Sequence, residues 1–203
     1  MKNGDTKKRI LDVAEDFFSE KGYDSTGIDE IARGVGISKS VIYYYFKNKE
    51  ELLGTIIESF FKEIIQLKLE KAREFLADPN MLREAALEEM LSFLSSKKKT
   101  IRILLMESIK GKRDIPLLSL WDINNQKWVK DFDFFMSRLE KEELSRLLLD
   151  SFFFGFLPLI GYIIFGDAWG SKVDIDKTEL RKRFSDSLLN YHSDFIKAER
   201  WRE

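Results

Sequence analysis

Ile10, Val13, Ala14, Phe17 and Phe18 recur at steps of three and four residues, so Thr6 to Lys21 predicts an amphipathic helix. Asp5 or Thr6 would cap it, and Lys21-Gly22 ends it. Ile28, Ile31, Ala32 and Val35 repeat the spacing over a shorter second helix. Its N-cap is Thr26 or Gly27, with Asp29 or Glu30 placed for a capping box. Gly34-Val35-Gly36 turns the chain, and a third helix starts at Ser38 with Ile42 and Phe46 facing inward, one turn apart. Asn48 caps a fourth helix, with Glu51 at its third position, and the helical pattern runs on to about Leu76.

At about 100° per residue, the face opposite Ile42 and Phe46 collects Lys39, Ser40, Tyr43, Tyr44 and Lys47. An ordinary exposed helix would favour Glu, Lys and Ala there. Tyr45 packs partly inward and Lys47 is read as solvated. Helices joined by a short Gly-containing turn predict a helix-turn-helix, whose second helix enters the major groove of DNA. Lys49 stands in the first turn of the fourth helix, where its charge opposes the helix dipole unless an anion such as a phosphate lies alongside.

Beyond Leu53 the pattern predicts helices at about 80–96, 98–109, 115–139, 141–166 and 176–199, with loops from Lys110 to Asp114 and from Gly166 to Asp174. The run SFFFGFLPLIGYIIFG, Ser151 to Gly166, holds no charged residue. It is shorter than the roughly 20 residues a membrane span needs, which predicts a helix buried on more than one side, by its own domain and by a partner subunit. Phe154 and Leu157 are its interface candidates. Leu180, Phe184, Leu188, Tyr191 and Phe195 step by 4, 4, 3 and 4 and form a seam for helix packing between subunits.

The 203 residues include 34 Lys+Arg and 35 Asp+Glu, a formal net charge of -1, so there is no global pull toward nucleic acid. The basic signal is local. From Ile31 to Lys49 the only charged residues are Arg33, Lys39, Lys47 and Lys49, and Lys7, Lys8 and Arg9 open the first helix. The later run Lys97, Lys98, Lys99, Arg102, Lys110, Lys112 and Arg113 reads as a solvated loop face. Zero cysteines exclude disulfides and thiolate chemistry, and the N-terminal segment has no apolar stretch of the export type, so a cytoplasmic protein is expected. His192 is the sole histidine and is read as interface packing; no catalytic set, metal cluster or phosphate loop accompanies it, so neither an enzyme nor a cofactor is expected.

The 17 Phe, 4 Trp and 6 Tyr suggest an apolar pocket in the later part of the chain. Its candidate lining is Phe60, Ile64, Leu67, Met106, Trp121, Trp128, Phe132, Phe135, Phe152 and Phe156. Glu107, Asn124, Gln126, Asp150 and Tyr162 are the polar residues that could orient a ligand, although solvent exposure is the plainer explanation for Glu107 and Asp150.

The stretch GVGISKSVIYYYFKNKEELL, Gly34 to Leu53, resembles the DNA-binding signature of the TetR family of bacterial one-component regulators; Gly22-Tyr23 and Ile31-Ala32 precede it as in that family. The resemblance covers Ile10 to Leu53, about a quarter of the chain. It implies that Lys39, Ser40 and Val41 face base edges, that Tyr43 and Lys49 hold phosphates, and that Tyr44 does either. It also implies backbone contacts at Thr26 and Gly27. Gly27 departs from the family's usual Ser or Thr, and Val41 from its usual Thr, leaving apolar contact with a thymine methyl.

Together these readings predict an all-α protein. Residues 1–53 form a three-helix helix-turn-helix DNA-binding domain, and residues 54–203 a helical effector-binding and dimerisation domain. The implied function is a ligand-responsive transcriptional regulator, a repressor released from a pseudo-palindromic operator by a hydrophobic or aromatic small molecule. The implied assembly is a homodimer, and no membrane partner is expected. The alternative is a helical dimeric interaction or sensor protein without specific DNA binding.

Overall fold

The computed structural model describes residues 3–77, 83–111 and 140–200. In chain order the elements are α1 (Asn3–Lys21), α2 (Ile28–Val35), α3 (Lys39–Tyr45), α4 (Lys49–Ala77), α5 (Arg83–Ser96), α6 (Lys98–Lys110), α7 (Lys141–Asp150), a π-helical turn (Ser151–Phe156), α8 (Leu157–Val173) and α9 (Lys177–Arg200). Among the described residues there is no strand. The helix expected at 115–139 lies outside them. The chain packs as two compact units, Met1–Ile65 with Lys97–Asp122, and Gln66–Ser96 with Ile123–Glu203.

In the first unit the predicted apolar stripes meet. Ile10, Ala14 and Phe18 of α1, Ile31, Ala32 and Val35 of α2, Ile42 and Phe46 around α3, and Leu52 and Leu53 of α4 are all buried. Each large side chain removed from water in this way stabilises the fold by about 1.5–3 kcal/mol before entropy is counted. Two glycines decide the geometry of the α2–α3 turn. A Cβ on Gly34 would stand 2.8 Å from Val13 Cγ1 and 3.0 Å from Phe17 Cε2, so only glycine lets α2 lie this close to α1. Gly36 takes the left-handed conformation, φ 76 and ψ 37, and its N–H donates to the Ala32 and Arg33 carbonyls, closing α2.

α6 packs on α1 in the same unit, and the basic run expected to face solvent is its fastening. Lys99 pairs with Asp16, the Thr100 hydroxyl donates to Glu15, and Lys97 pairs with Glu63 at 2.6 Å. Lys110 reaches both Asp24 at 3.2 Å and Glu107 at 2.6 Å. Glu107 is only 2% exposed, so solvent exposure does not explain it. Burying a carboxyl group is costly unless it is hydrogen-bonded, and Lys110 donates to it. These carboxylates hold the Lys99 and Lys110 ammonium groups above their ordinary pKa, chiefly through the hydrogen bonds that the ammonium groups donate to Asp16 and Glu107. Lys112 and Arg113 lie outside the described residues.

In the second unit α5, α8 and α9 pack on one another. Arg181 of α9 grips α5, donating to the Glu88 carboxylate at 2.7 Å, the Glu88 carbonyl at 3.0 Å and the Ser92 hydroxyl at 2.9 Å. Tyr162 of α8 stacks on Phe184 of α9 with ring centroids 4.4 Å apart. Burial there raises the Tyr162 phenol above its ordinary pKa.

The loop expected from Gly166 to Asp174 is helix as far as Val173. Gly166 and Gly170 are buried packing sites: a Cβ on Gly170 would stand 3.0 Å from the Ile175 carbonyl and 3.1 Å from Leu180 Cδ2. The turn is made instead by Asp174 in the left-handed region, φ 55, with the Ile175 N–H donating to the Gly170 carbonyl at 2.9 Å. Helical structure from Phe152 to Val173 is therefore 22 residues long and holds an 18-residue window of mean hydropathy 1.6, long and apolar enough by length and composition to cross a membrane. The expectation that this run is too short for a span is thus corrected, because its end was placed at Gly166.

Gly34→Ala is expected to lower the thermal unfolding midpoint. Overpacking costs about 1–3 kcal/mol, more than the roughly 1 kcal/mol that helix propensity returns. Gly54→Ala, in α4 with nothing within 4 Å of the added carbon, is expected to raise it.

Candidate nucleic-acid interface

α3 is seven residues long, and its two faces differ as the periodicity predicts. Ile42 is buried, while Lys39, Ser40, Tyr43 and Tyr44 are exposed, Tyr44 to 75%. Val41 and Tyr45 are half-buried, and Tyr44 meets the Tyr45 ring edge-on with centroids 5.0 Å apart. Ser38 stands at the N-cap in extended conformation, φ -77 and ψ 154, but its hydroxyl shares a hydrogen bond with that of Ser40 at 2.8 Å instead of capping α3. The aromatic face is thus held out by a helix whose opposite side is core.

The start of α4 is fixed by the expected cap. The Glu51 N–H donates to Asn48 Oδ1 at 2.7 Å, and the Glu51 carboxylate accepts the Lys47 N–H at 2.6 Å. At α2 the N-cap is Gly27, which has no side chain to cap with, while the Glu30 carboxylate pairs with Lys21 and also accepts from the Gly27 backbone N–H, the half of the capping box that a glycine cap leaves. Lys21 holds the Glu30 carboxyl below its ordinary pKa, chiefly by that hydrogen bond.

Two residues expected to meet DNA are engaged inside the protein. Thr26 is buried, its hydroxyl donates to the Gly22 carbonyl at 2.9 Å and the Phe17 carbonyl at 3.2 Å, and its N–H donates to the Tyr23 carbonyl. Thr26 therefore locks the α1–α2 turn rather than reaching a phosphate. Lys49 donates to the Tyr23 carbonyl at 2.8 Å and the Thr26 carbonyl at 2.9 Å, and its ammonium lies 4.2 Å from the centre of the Tyr23 ring. These carbonyls and the ring supply the negative partner that its place at a helix N-terminus calls for, so an external phosphate is not required. Gly27 is exposed, with nothing within 4 Å of where a Cβ would stand.

The remaining charge is placed around α3. Lys39 pairs with Asp29 of α2 at 2.9 Å, which holds its ammonium above the ordinary lysine pKa. Arg33 and Lys47 are exposed and make no ion pair among the described residues. Arg9 donates to the Val35 carbonyl at 2.7 Å, and Lys7 lies 5.5 Å from the centre of the Phe46 ring. The partnership of Lys39 and Asp29 left no trace in the periodicity, since the two lie on different helices.

The described members of the expected pocket set fall in two units. Phe60 and Ile64 are buried and Met106 half-buried in the first unit. Leu67, Phe152 and Phe156 belong to the second, where the last two rings are 6.1 Å apart. Trp121, Trp128, Phe132, Phe135, Asn124 and Gln126 lie outside the described residues. A cleft of about 310 Å³ opens instead at the α8–α9 turn, lined by Gly166, Asp167, Gly170, Ser171, Asp174, Ile175, Asp176, Lys177 and Leu180. Among the seam residues, Phe184 stacks on Tyr162 and Leu188 is buried within the chain, whereas Phe154 and Tyr191 are exposed and stack on each other at 5.6 Å. Leu157 and Leu180 are half-buried. The side chains of His192 and Phe195 lie outside the described residues.

The fold and its surface define an all-α protein with an N-terminal helix-turn-helix. Residues 10–56 match the family of bacterial regulatory proteins described as the tetR family. The HTH-type transcriptional regulator AcrR of Shigella flexneri is 38% identical over 106 residues, 52% of this chain and 48% of the relative. The biofilm operon icaADBC negative regulator IcaR of Staphylococcus epidermidis is 43% identical over 63 residues, 31% of this chain and 34% of the relative. The chain thus spans less than half the length of these curated relatives. A transcriptional regulator (TerR/AcrR family) from Aquifex aeolicus VF5 shares the fold with a TM-score of 0.61 and 27% identity, over 94% of this chain and 99% of that one. Bacillus subtilis FadR, in complex with stearoyl-CoA, superposes with a TM-score of 0.55 at 18% identity, over 90% and 95% of the two chains. Residues 10–56 thus resemble the DNA-binding part of the tetR family of bacterial regulatory proteins, and the described fold resembles that of a TerR/AcrR-family regulator.

Lys49→Met keeps the bulk of the side chain and strips two carbonyls of their donor. It is expected to destabilise the protein by about 1–3 kcal/mol in chemical denaturation, the cost of leaving part-buried acceptors unsatisfied.

Proposed function

We propose that this protein is a DNA-binding transcriptional repressor that reads a pseudo-palindromic operator as a homodimer. In this reading it releases the operator when a hydrophobic or aromatic small molecule binds the later part of the chain. The observation that carries the reading is the exposed row Lys39, Ser40, Tyr43 and Tyr44 on a helix pinned from behind by Ile42 and Phe46. Phenol hydroxyls and a lysine presented at the second helix of a helix-turn-helix suit phosphates and base edges, and little else explains two exposed tyrosines in succession. Tyr43 is assigned to a phosphate, Tyr44 to either target, and Lys39, Ser40 and Val41 to base edges. Gly27 offers its backbone. We assign residues 1–53 to DNA reading and 54–203 to effector binding and dimerisation, in a cytoplasmic protein.

A second copy of the chain is the assigned cover of the apolar face on α8. Phe165 is 65% exposed and Trp169 55% exposed, and with Val173 they recur every four residues, which places them in one row. Phe153, Phe154 and Tyr191 add to the exposed aromatic surface of the same unit. Asp167, paired with Lys177 at 2.9 Å, and Lys172 interrupt the apolar run and suit a protein interface better than a lipid core. A twofold axis through such a face would present two α3 helices to half-sites about 34–36 Å apart, or a multiple of that. AcrR and IcaR are regulators, IcaR a negative one, which supports repression. FadR holds stearoyl-CoA, but its likeness carries the fold only; the apolar effector is argued from Phe60, Ile64, Leu67, Met106, Phe152, Phe156 and the aromatics between residues 121 and 135.

Fluorescence anisotropy with the DNA flanking the protein's own gene, over a salt series, tests the DNA reading. Tight, salt-sensitive binding is expected, and Tyr43→Ala should weaken it for all sequences by about tenfold or more, the worth of a hydrogen bond to a charged group. Binding no stronger than to random duplex, and indifferent to Tyr43, would refute it. Sedimentation tests the assembly: the wild type should run as a dimer and Trp169→Glu as a monomer, because a carboxylate buried at the interface centre would lack a partner.

A further inference from the structure

α3 carries a single charged side chain, Lys39, at its first position, and that lysine is not left to itself. Its ammonium donates to Oδ2 of Asp29 at 2.9 Å, a bond that crosses the turn between α2 and α3. Both side chains are exposed, the carboxylate more than the ammonium. Exposed ion pairs contribute little to stability, so holding the fold together does not account for this one. A carboxylate beside the DNA-facing end of a helix also works against binding to a polyanion. The neighbouring acid, Glu30, is turned away to Lys21, so Asp29 is the carboxylate at this edge that faces α3.

The consequence lies in what the pair presents. A lone lysine is a mobile point charge that any phosphate satisfies. Held against a carboxylate, its remaining N–H donors keep a set direction, and a strong acceptor lies next to them. In the major groove a G·C pair offers the complementary partners: O6 and N7 of guanine accept, and the N4 amino group of cytosine donates. An A·T pair in the same place would set the adenine N6 donor against the ammonium and the thymine O4 acceptor against the carboxylate.

Resting on the DNA-reading function above, we infer that Asp29 is a specificity-determining residue. The Asp29–Lys39 pair reads one G·C base pair in each half-site, and the carboxylate holds down binding to unrelated DNA. Asp29 has no place in the phosphate contacts assigned to the domain; it acts by aiming Lys39 and by accepting from cytosine.

The full-length protein, selected against a pool of random duplexes, tests this, followed by anisotropy on the selected and a random duplex across salt for the wild type, Asp29→Asn and Lys39→Met. The wild type should enrich a palindromic motif with a fixed G·C pair in each half. Asp29→Asn should bind random duplex more tightly, with a salt slope steeper by about 0.9, as one more lysine becomes available to phosphate. Its selectivity should fall about tenfold, the usual cost of one lost base contact, with the preference at that position relaxed. Lys39→Met should lose the same position from the motif without the gain on random DNA. If the wild type enriches a motif and either variant reproduces it with unchanged selectivity, this inference fails and the DNA reading stands. If the wild type enriches no motif, both fail together.

Discussion

A seven-residue helix does not hold itself in water, because nucleation costs more than two turns of hydrogen bonds return. α3 exists because Ile42 and Phe46 are buried and because α2, closed by Gly36 and laid on α1 at Gly34, gives them something to be buried against. Everything proposed for the surface depends on that packing. Tyr43 and Tyr44 face outward because Ile42 and Phe46 cannot, and the direction of Lys39 is set by a carboxylate on the helix that the same core positions.

The lysines of this chain show how far a net charge of -1 conceals local arrangement. Lys49 fills the carbonyl pocket of the α1–α2 turn, over the Tyr23 ring, while Lys97, Lys99 and Lys110 fasten carboxylates on α4, on α1 and in the turn after it. Each is a cation spent on internal partners, so a count of basic residues overstates what is available to a phosphate. Arg33 and Lys47 remain on the surface around α3, with Lys39 shared with Asp29. The surface around α3 is less basic than its sequence suggests, and phenol hydroxyls make up more of it.

The second unit is built on different terms. Arg181 and the Tyr162–Phe184 stack join its helices, while Phe165 and Trp169 stay in water although α8 is apolar on nearly every side. Large aromatic rings in a repeating row are costly to leave exposed, and a second copy of the same row is the simplest surface to cover them. Small residues make the rest possible. Gly166 and Gly170, which look like breakers, are where a ring and a turn come within contact of the α8 backbone.

The chain by itself determined the helices α1 to α4, the inward set Ile42 and Phe46, the outward set Lys39, Ser40, Tyr43 and Tyr44, and the Asn48–Glu51 cap. These are local matters: periodicity and capping act over three or four residues, and the residues that decide them are neighbours in sequence. Only the tertiary structure decided that Thr26 and Lys49 turn inward, that Glu107 is buried beneath Lys110, that Asp29 holds Lys39, and that α8 runs on through two glycines. Lys49 meets the Tyr23 carbonyl across 26 residues of chain, and Lys110 meets Asp24 across 86. A cation's choice between a solvent-exposed phosphate and a folded carbonyl is set by which partners the packing brings within reach, and no spacing along the chain encodes that distance.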